Sequence, residues 1–320
     1  MIYLLLFVLL LSFELLYFRI AKQFKIVDKP NARSSHKRCT LLGGGVVIYF
    51  GGLLYFLFFG QQYLWFFIGL SLISLISFAD DIKSMSFKLR LLVHFVAILF
   101  LFYQLGLFQY PMYILVFVLI LSIGILNAYN FMDGINGITG AYSIVLISII
   151  WYINNYLISF IDNNFLYTIF LALLIFNFFN FRKKAKCFAG DVGALSIAYI
   201  LIFLIAMLIF KTSDFSYIII LLVYGIDTVL TIIHRIILKE NIFHAHRKHI
   251  FQLMANELKI PHLLVSGFYA MLQLIIVMGY FWFKSYSYLY LIIVSAILTI
   301  AYIAFKMKYY KLHAANLKKE

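Results

Sequence analysis

The chain has 320 residues, of which 65% are hydrophobic and only 12% charged, and it carries a formal net charge of +14. A soluble protein of this length has no use for so much apolar side chain, because its exterior must face water. The basic excess does not call for nucleic acid, since it sits in short loops between apolar runs, where charge sets membrane orientation.

The apolar runs are about 17–24 residues long, enough to cross a bilayer core as a helix. They are continuously apolar, whereas barrel strands would alternate. The expected fold is therefore all-α. It is a polytopic membrane protein with eleven transmembrane helices near 1–20, 42–60, 62–80, 89–108, 111–127, 137–153, 163–181, 193–210, 215–238, 262–283 and 286–306, forming one transmembrane domain over 1–320. The first run starts at Ile2 with no basic segment before it and no small-residue cleavage site after it, so it reads as a span rather than a signal peptide.

The connections between these runs alternate in character. The loops at 21–41, 81–90, 182–192, 239–261 and 307–320, with the adjoining Arg19, Arg235 and Lys306, hold 24 of the 26 Lys and Arg. Only Lys211 and Lys284 lie in the other set. The positive-inside rule then places the N-terminus outside and the C-terminus in the cytoplasm, which an odd number of spans also requires. Cys39 and Cys187 both fall in loops on the cytoplasmic side, so no disulfide is expected.

Acidic residues are scarce, 12 in all, and several stand at the cytoplasmic ends of the spans. Asp80 and Asp81 close the third span. Adjacent carboxylates repel, and a helix C-terminus disfavours negative charge. Either the nearby Lys83, Lys88 and Arg90 offset that cost or a divalent cation with its phosphate does. Asp133 lies in Asn127-Ala-Tyr-Asn130-Phe131-Met-Asp133-Gly134-Ile-Asn136-Gly137, a polar segment without any Lys or Arg. Three Asn, a carboxylate and two Gly suit a loop turning tightly around a polar ligand. Asp191, in Gly190-Asp191-Val192-Gly193, reads either as a helix N-cap or as a metal ligand beside a helix N-terminus that also favours phosphate.

Two basic segments complete the set. In His244-Ala-His246-Arg247-Lys248-His249 the His spacing admits zinc, but the adjacent Arg and Lys repel a dication, and an anion site suits the charge better. The loop Asp28–His36 carries Arg33, Ser34 and His36, which could set topology or meet phosphate. It ends in Gly43-Gly44-Gly45, which permits close packing of the second span. All these clusters fall on one membrane face. Together they describe a site for Mg²⁺ and a diphosphate.

The ordered set Asp80-Asp81, Asn127-x-x-Asn130-Phe-Met-Asp133-Gly, Gly190-Asp191-x-Gly193 and His246-Arg247-x-His249-x-x-Gln252 resembles the polyprenyl-phosphate N-acetylhexosamine-1-phosphate transferases. That family includes phospho-N-acetylmuramoyl-pentapeptide transferase. The resemblance runs from the Asp28–His36 loop to His249. It implies a Mg²⁺-dependent enzyme of the bacterial inner membrane, with Mn²⁺ able to substitute and the active site facing the cytoplasm. The implied substrates are a UDP-N-acetylated sugar and undecaprenyl phosphate, and a second copy of the chain is a candidate partner.

By position, Asp191 matches the family's metal-binding residue, and Asp133 with Asn130 matches the loop near metal and nucleotide. Asp80 and Asp81 match the essential pair. Asn127, Asn130, Asn136, Lys88, Arg33, His36, His246, Arg247 and His249 are the implied substrate contacts. Ala194 stands where Ser is common, and Asn136 where many members carry a second Asp. The continuous His triplet of the peptidoglycan branch is absent, and Phe131–Gly137 is more similar to the O-antigen-initiating branch. The competing reading is a transporter or flippase. That reading predicts polar groups near the bilayer midplane, whereas these spans read as almost free of charge.

Overall fold

The computed structural model describes residues 1–30, 39–241 and 247–317, with side chains described as far as residue 310. The helices are α1 (Ile2–Gln23), α2 (Val46–Phe59), α3 (Leu64–Ile82), α4 (Phe87–Gln104), α5 (Met112–Met132), α6 (Ile138–Tyr156), α7 (Asn163–Asn180), α8 (Gly190–Thr212), α9 (Leu222–Ile237), the single turn α10 (Ile250–Gln252), α11 (His262–Trp282) and α12 (Ser287–Leu317). Among the described residues, ten helical segments are long and apolar enough to cross a membrane. The chain is thus an all-α, multi-pass membrane protein.

The expected count of eleven spans differs at α2. Its 14 residues give a rod of about 21 Å, short of the apolar core of a bilayer. The expected span began at residue 42, but Gly43–Gly45 form a turn ahead of the helix. A second difference is at 215–238, expected as one helix. It begins as a 3₁₀ stretch, Phe215–Leu221, before α9.

The centre of the bundle is α8. A helix apolar on every side has no polar face to offer water, so it belongs inside or in lipid. Here every residue from Val192 to Ile205 is buried. Helices α2, α3 and α5 pack around it, while α6 packs between α7 and α11. The approach of α2 to α8 depends on glycine. A Cβ on Gly45 would stand 2.4 Å from the Gly193 Cα, and one on Gly193 would stand 2.6 Å from the Gly45 Cα. By contrast, most of α12 faces outward.

All the polar loops of interest meet at one end. A two-stranded antiparallel pair, β1 (Val27–Asp28) and β2 (Thr40–Leu41), is extended by Leu41 pairing with Cys187. Phe188 N donates to Leu41 O, and Gly44 N and Gly45 N donate to Phe188 O and Ala189 O at 2.9 and 3.0 Å. This zipper fixes the segment leading into Asp191. At the far end, Tyr3 Oη of α1 donates to Asn164 Oδ1 at 2.6 Å. The N-terminal end of α1 therefore lies opposite the loops that carry the aspartates.

Candidate active site

Asp80 and Asp81 stand on the last turn of α3. Asp81 reaches the start of α8, where its two oxygens accept Asp191 N at 2.8 Å and Val192 N at 3.1 Å. The first N–H groups of a helix have no partner within it, and a carboxylate there also meets the positive end of the helix dipole. Asp81 is thus an N-cap delivered from another helix. Gly190, which precedes Asp191, has φ +69°, and a Cβ there would come 2.4 Å from Asp81 Oδ2 and 2.8 Å from the Gly43 backbone. Only glycine fits between cap and loop.

Asp80 anchors the opposite side. Its Oδ1 accepts Met85 N at 2.5 Å, and its Oδ2 is paired with Arg90. Arg90 Nη1 also reaches Asp191 Oδ2 at 3.4 Å, and the Asp80 and Asp191 carboxyls stand close enough to act on each other. Asn130, on the last turn of α5, stands close enough to Asp191 to act on its carboxyl. Three helix ends, those of α3, α5 and α8, thus converge on Asp191, with the start of α4 supplying Arg90. Lys88, expected as a substrate contact, is exposed.

The Asn127–Met132 segment, expected as loop, is the last two turns of α5. Asn127 is exposed and its amide donates back to Ile123 O at 2.9 Å. Asp133 follows the helix, and its Oδ1 accepts Thr139 Oγ1 at 2.7 Å. Burial pushes the Asp133 carboxyl up to about 6, against the lowering effect of that hydrogen bond. Its charge is felt at Asp81.

Asn136 is buried and holds the loop together. Its amide donates to Arg182 O at 2.8 Å, and its own carbonyl accepts Ser266 Oγ at 2.8 Å. Asn180 links both halves of the site, accepting Gly137 N at 2.7 Å and donating to Cys187 O at 2.8 Å.

Arg33, His36 and His246 lie outside the described residues. Arg247 is half-buried. Its neighbour Lys248 pairs with Glu240, which also meets Arg235 Nε at 3.3 Å. These cations hold the Glu240 carboxyl below its ordinary range, although burial acts the other way. His249 is buried. Its Nδ1 is 3.3 Å from Asp227 Oδ1, and its ring centroid is 6.4 Å from that of Phe131 on α5.

Reading the sequence did not single out Asp227, although it is the one acidic residue in the 215–238 run. It passed over Arg90 as mere charge balance. It also expected spans almost free of charge, yet Glu14, Asp227, Arg235 and Lys306 are all buried within apolar helices. Asp227 and Arg235 are tolerated because hydrogen-bond partners surround them.

Among the described residues, no three His, Cys, Asp or Glu side chains gather closely enough to hold a metal unaided. Mg²⁺ needs no such cage, because it takes one or two carboxylates and completes its shell with water and substrate phosphate. The donors around Asp191 are all hard oxygens, and the two facing carboxylates there have one arginine between them.

A membrane bundle that gathers carboxylates and helix ends in this way has the architecture of an integral-membrane group-transfer enzyme. The glycosyl transferase family 4 model matches residues 63–209 of the chain. The chain is 27% identical over 263 residues, 72% of this chain and 70% of the other, to a Bacillus subtilis protein named as an undecaprenyl-phosphate N-acetylglucosaminyl 1-phosphate transferase. It is 32% identical over 134 residues to the phospho-N-acetylmuramoyl-pentapeptide-transferase of Streptococcus mutans, covering 39% of this chain and 37% of that one. It is also 29% identical over 160 residues to a Methanocaldococcus jannaschii protein named as a glycosyltransferase, covering 48% and 50% of the two chains.

Proposed function

We propose that this chain transfers an N-acetylated sugar-1-phosphate from a UDP-sugar to undecaprenyl phosphate. UMP is released, and the lipid-linked first sugar of a cell-surface polysaccharide is formed. The observation that carries the reading is the convergence of Asp80, Asp81 and Asn130 on Asp191 at the N-terminus of α8. The names of the bacterial relatives support the acceptor and the group transferred. The concentration of Lys and Arg on the same side supports a site facing the cytoplasm of a bacterial inner membrane, where UDP-sugars are found.

In this reading an oxygen of the lipid phosphate attacks the β-phosphorus of the donor. The new P–O bond forms as the bond between the α- and β-phosphates breaks, and UMP leaves with its electron pair. Asp191 and Asn130, with an oxygen of Asp80, would hold Mg²⁺, and Asp133 would serve the same metal or the nucleotide beside it. Mg²⁺ held there would supply neutralisation of the phosphate charge on the leaving group. The chain's own contribution is positioning. Asp81 fixes the α8 end, where backbone N–H groups favour phosphate. Arg90 holds Asp80 and Asp191 at a fixed separation. A lipid phosphate is already ionised at neutral pH, so a protein base has little to add.

The deciding experiment is UMP release by the purified chain in detergent with Mg²⁺, undecaprenyl phosphate and a panel of UDP-sugars. Release that depends on both lipid phosphate and metal, and that is lost in Asp191→Asn, is expected. If Asp191→Asn and Asp81→Asn both release UMP as wild type does, the assignment fails.

A further inference from the structure

Helix α12 is held differently from the rest of the bundle. Most of its length faces outward, and among its described side chains only Tyr302 and Lys306 are buried, at 5% and 4% exposure. They stand four residues apart, on one face of the helix. Lipid tails are as apolar as leucine, so a helix at the rim of a bundle gains little from apolar contact, and polar bonds fix how it sits. A buried ammonium is costly unless it is matched. Lys306 Nζ donates to Lys248 O, lies 5.3 and 5.7 Å from the ring centroids of Tyr302 and Tyr310, and meets the charge of Asp227.

Tyr302 leads to the same place. Thr231 Oγ1 donates its hydrogen to Asp227 Oδ1 at 3.2 Å, so the 2.8 Å bond between Tyr302 Oη and Thr231 Oγ1 takes its hydrogen from the tyrosine. Asp227 Oδ1 in turn accepts Ile250 N at 3.1 Å. The two anchors of α12 therefore end on two backbone groups of one segment, Lys248 O and Ile250 N. That segment is stiff. Lys248 Nζ pairs with Glu240, and His249 and Gln252 close a capping box in which each side chain accepts from the other's backbone N–H. It also touches the site. A Cβ on Gly134 would stand 2.9 Å from the Phe251 ring, and Gly134 follows Asp133.

We propose that Tyr302 and Lys306 form a latch by which α12 holds the 248–252 segment against the Asp133 loop, and that both are positioning residues for the UDP-sugar. This deepens the transferase reading and rests on it. The latch acts through Phe251 on the donor side of the site and touches nothing beside Asp80 or Asp191. If these two side chains only seated α12, apolar groups of the same size would serve as well. Lys306→Met and Tyr302→Phe keep size and remove the bonds, so they separate the two roles. With the most active donor of the UDP-sugar panel, we expect kcat/KM for that donor to fall about 10- to 100-fold in Lys306→Met. KM for undecaprenyl phosphate should stay at the wild-type value. Tyr302→Phe, which removes a neutral donor, should change the same quantity less.

A readout independent of activity is trypsin cleavage of the intact chain in detergent, mapped by mass spectrometry. Cleavage after Arg247 or Lys248 should run about tenfold or more faster in Lys306→Met, because it follows the open population of the segment. Cleavage after Lys183 or Lys184, in the loop between α7 and α8, should keep its wild-type rate. The inference is overturned by wild-type cleavage at Arg247 and Lys248, or by a loss shared equally between donor and lipid phosphate. Faster cleavage with full activity also overturns it, since the segment would then be held without serving the donor. If wild type releases no UMP with any donor, the transferase reading falls, while the cleavage rates still decide whether the latch exists. If Lys306→Met does not fold, Tyr302→Phe decides by the same two measurements.

Discussion

The two ends of the bundle handle polarity in opposite ways. At the end formed by α2, α6 and α7, amides and one carboxylate satisfy one another. Asn154 accepts from Phe160 N and Ile161 N and donates to Ile161 O and Asn163 Oδ1, all within 3.0 Å. Asp162 caps α7 and accepts from Asn164 N at 2.9 Å and Tyr55 Oη at 3.1 Å. At the other end, Asp80, Asp81, Asp133 and Asp191 crowd together, and Arg90 is the only cation paired with any of them among the described residues. Polar side chains that serve only the fold resemble the first arrangement, because a buried polar group must be matched. An arrangement with excess like charge gains stability when a cation arrives, and this difference locates the site.

The largest effect should come from removing charge at the crowded end. Asp191→Asn keeps the shape of the side chain but not its charge. UMP release should fall about 10²–10³-fold, the scale on which loss of one transition-state electrostatic contact is felt. Residual activity close to wild type would mean that the metal and diphosphate sit elsewhere.

Next is the backbone between the two capped loops. Gly190→Ala places a Cβ against Asp81 at a left-handed position. Holding a non-glycine residue there costs about 1–3 kcal/mol. A lower thermal midpoint in detergent and weaker UMP release should appear together, since the same displacement uncaps α8. A stability loss with full activity would show that Asp81 supports the helix and nothing more.

Much of this contrast is legible in the sequence and some is not. The apolar runs and the four aspartates stand out because membrane spans tolerate few charges, so each one that remains is informative. The path of α5 is not legible, because Asn127 and Asn130 read as loop residues. Both are helical in α5, where the Asn127 amide bonds back to Ile123 O and Asn130 stands near Asp191. Nor could spacing choose Arg90 over Lys88. Two positions apart on a helix, they point to opposite sides, and only packing decides which side faces the carboxylates. Asp227 was obscured by its setting, a single acid in an apolar run whose partners come from three other elements.

A more moderate effect concerns pH. The Asp133 carboxyl, raised by burial to about 6, holds its proton below that pH and is ionised above it. If the ionised form serves the reaction, kcat/KM should rise about tenfold per pH unit below about 6 and level off above, and Asp133→Asn should abolish that rise. The stability sign is opposite. Between 3.8 and about 6 the folded chain binds more protons at this residue than the unfolded chain does. Asp133 therefore favours folding most at low pH, and its contribution declines as pH rises through that window.

The smallest effect tests the matched end. Asp162→Asn removes the described carboxylate of the α6–α7 connection but keeps an oxygen for Asn164 N. Asn and Asp are near-equal helix N-caps, so the stability cost should stay within about 1 kcal/mol. Tyr55 Oη can donate to the amide oxygen instead, or accept from its nitrogen. UMP release should match wild type at every Mg²⁺ concentration, while Asp191→Asn loses it. The pair of variants changes charge equally at opposite ends of the bundle, so general effects of charge on folding or insertion cancel. Equal loss of activity in both would show that charge count, and not its crowding beside α8, is what the reaction requires.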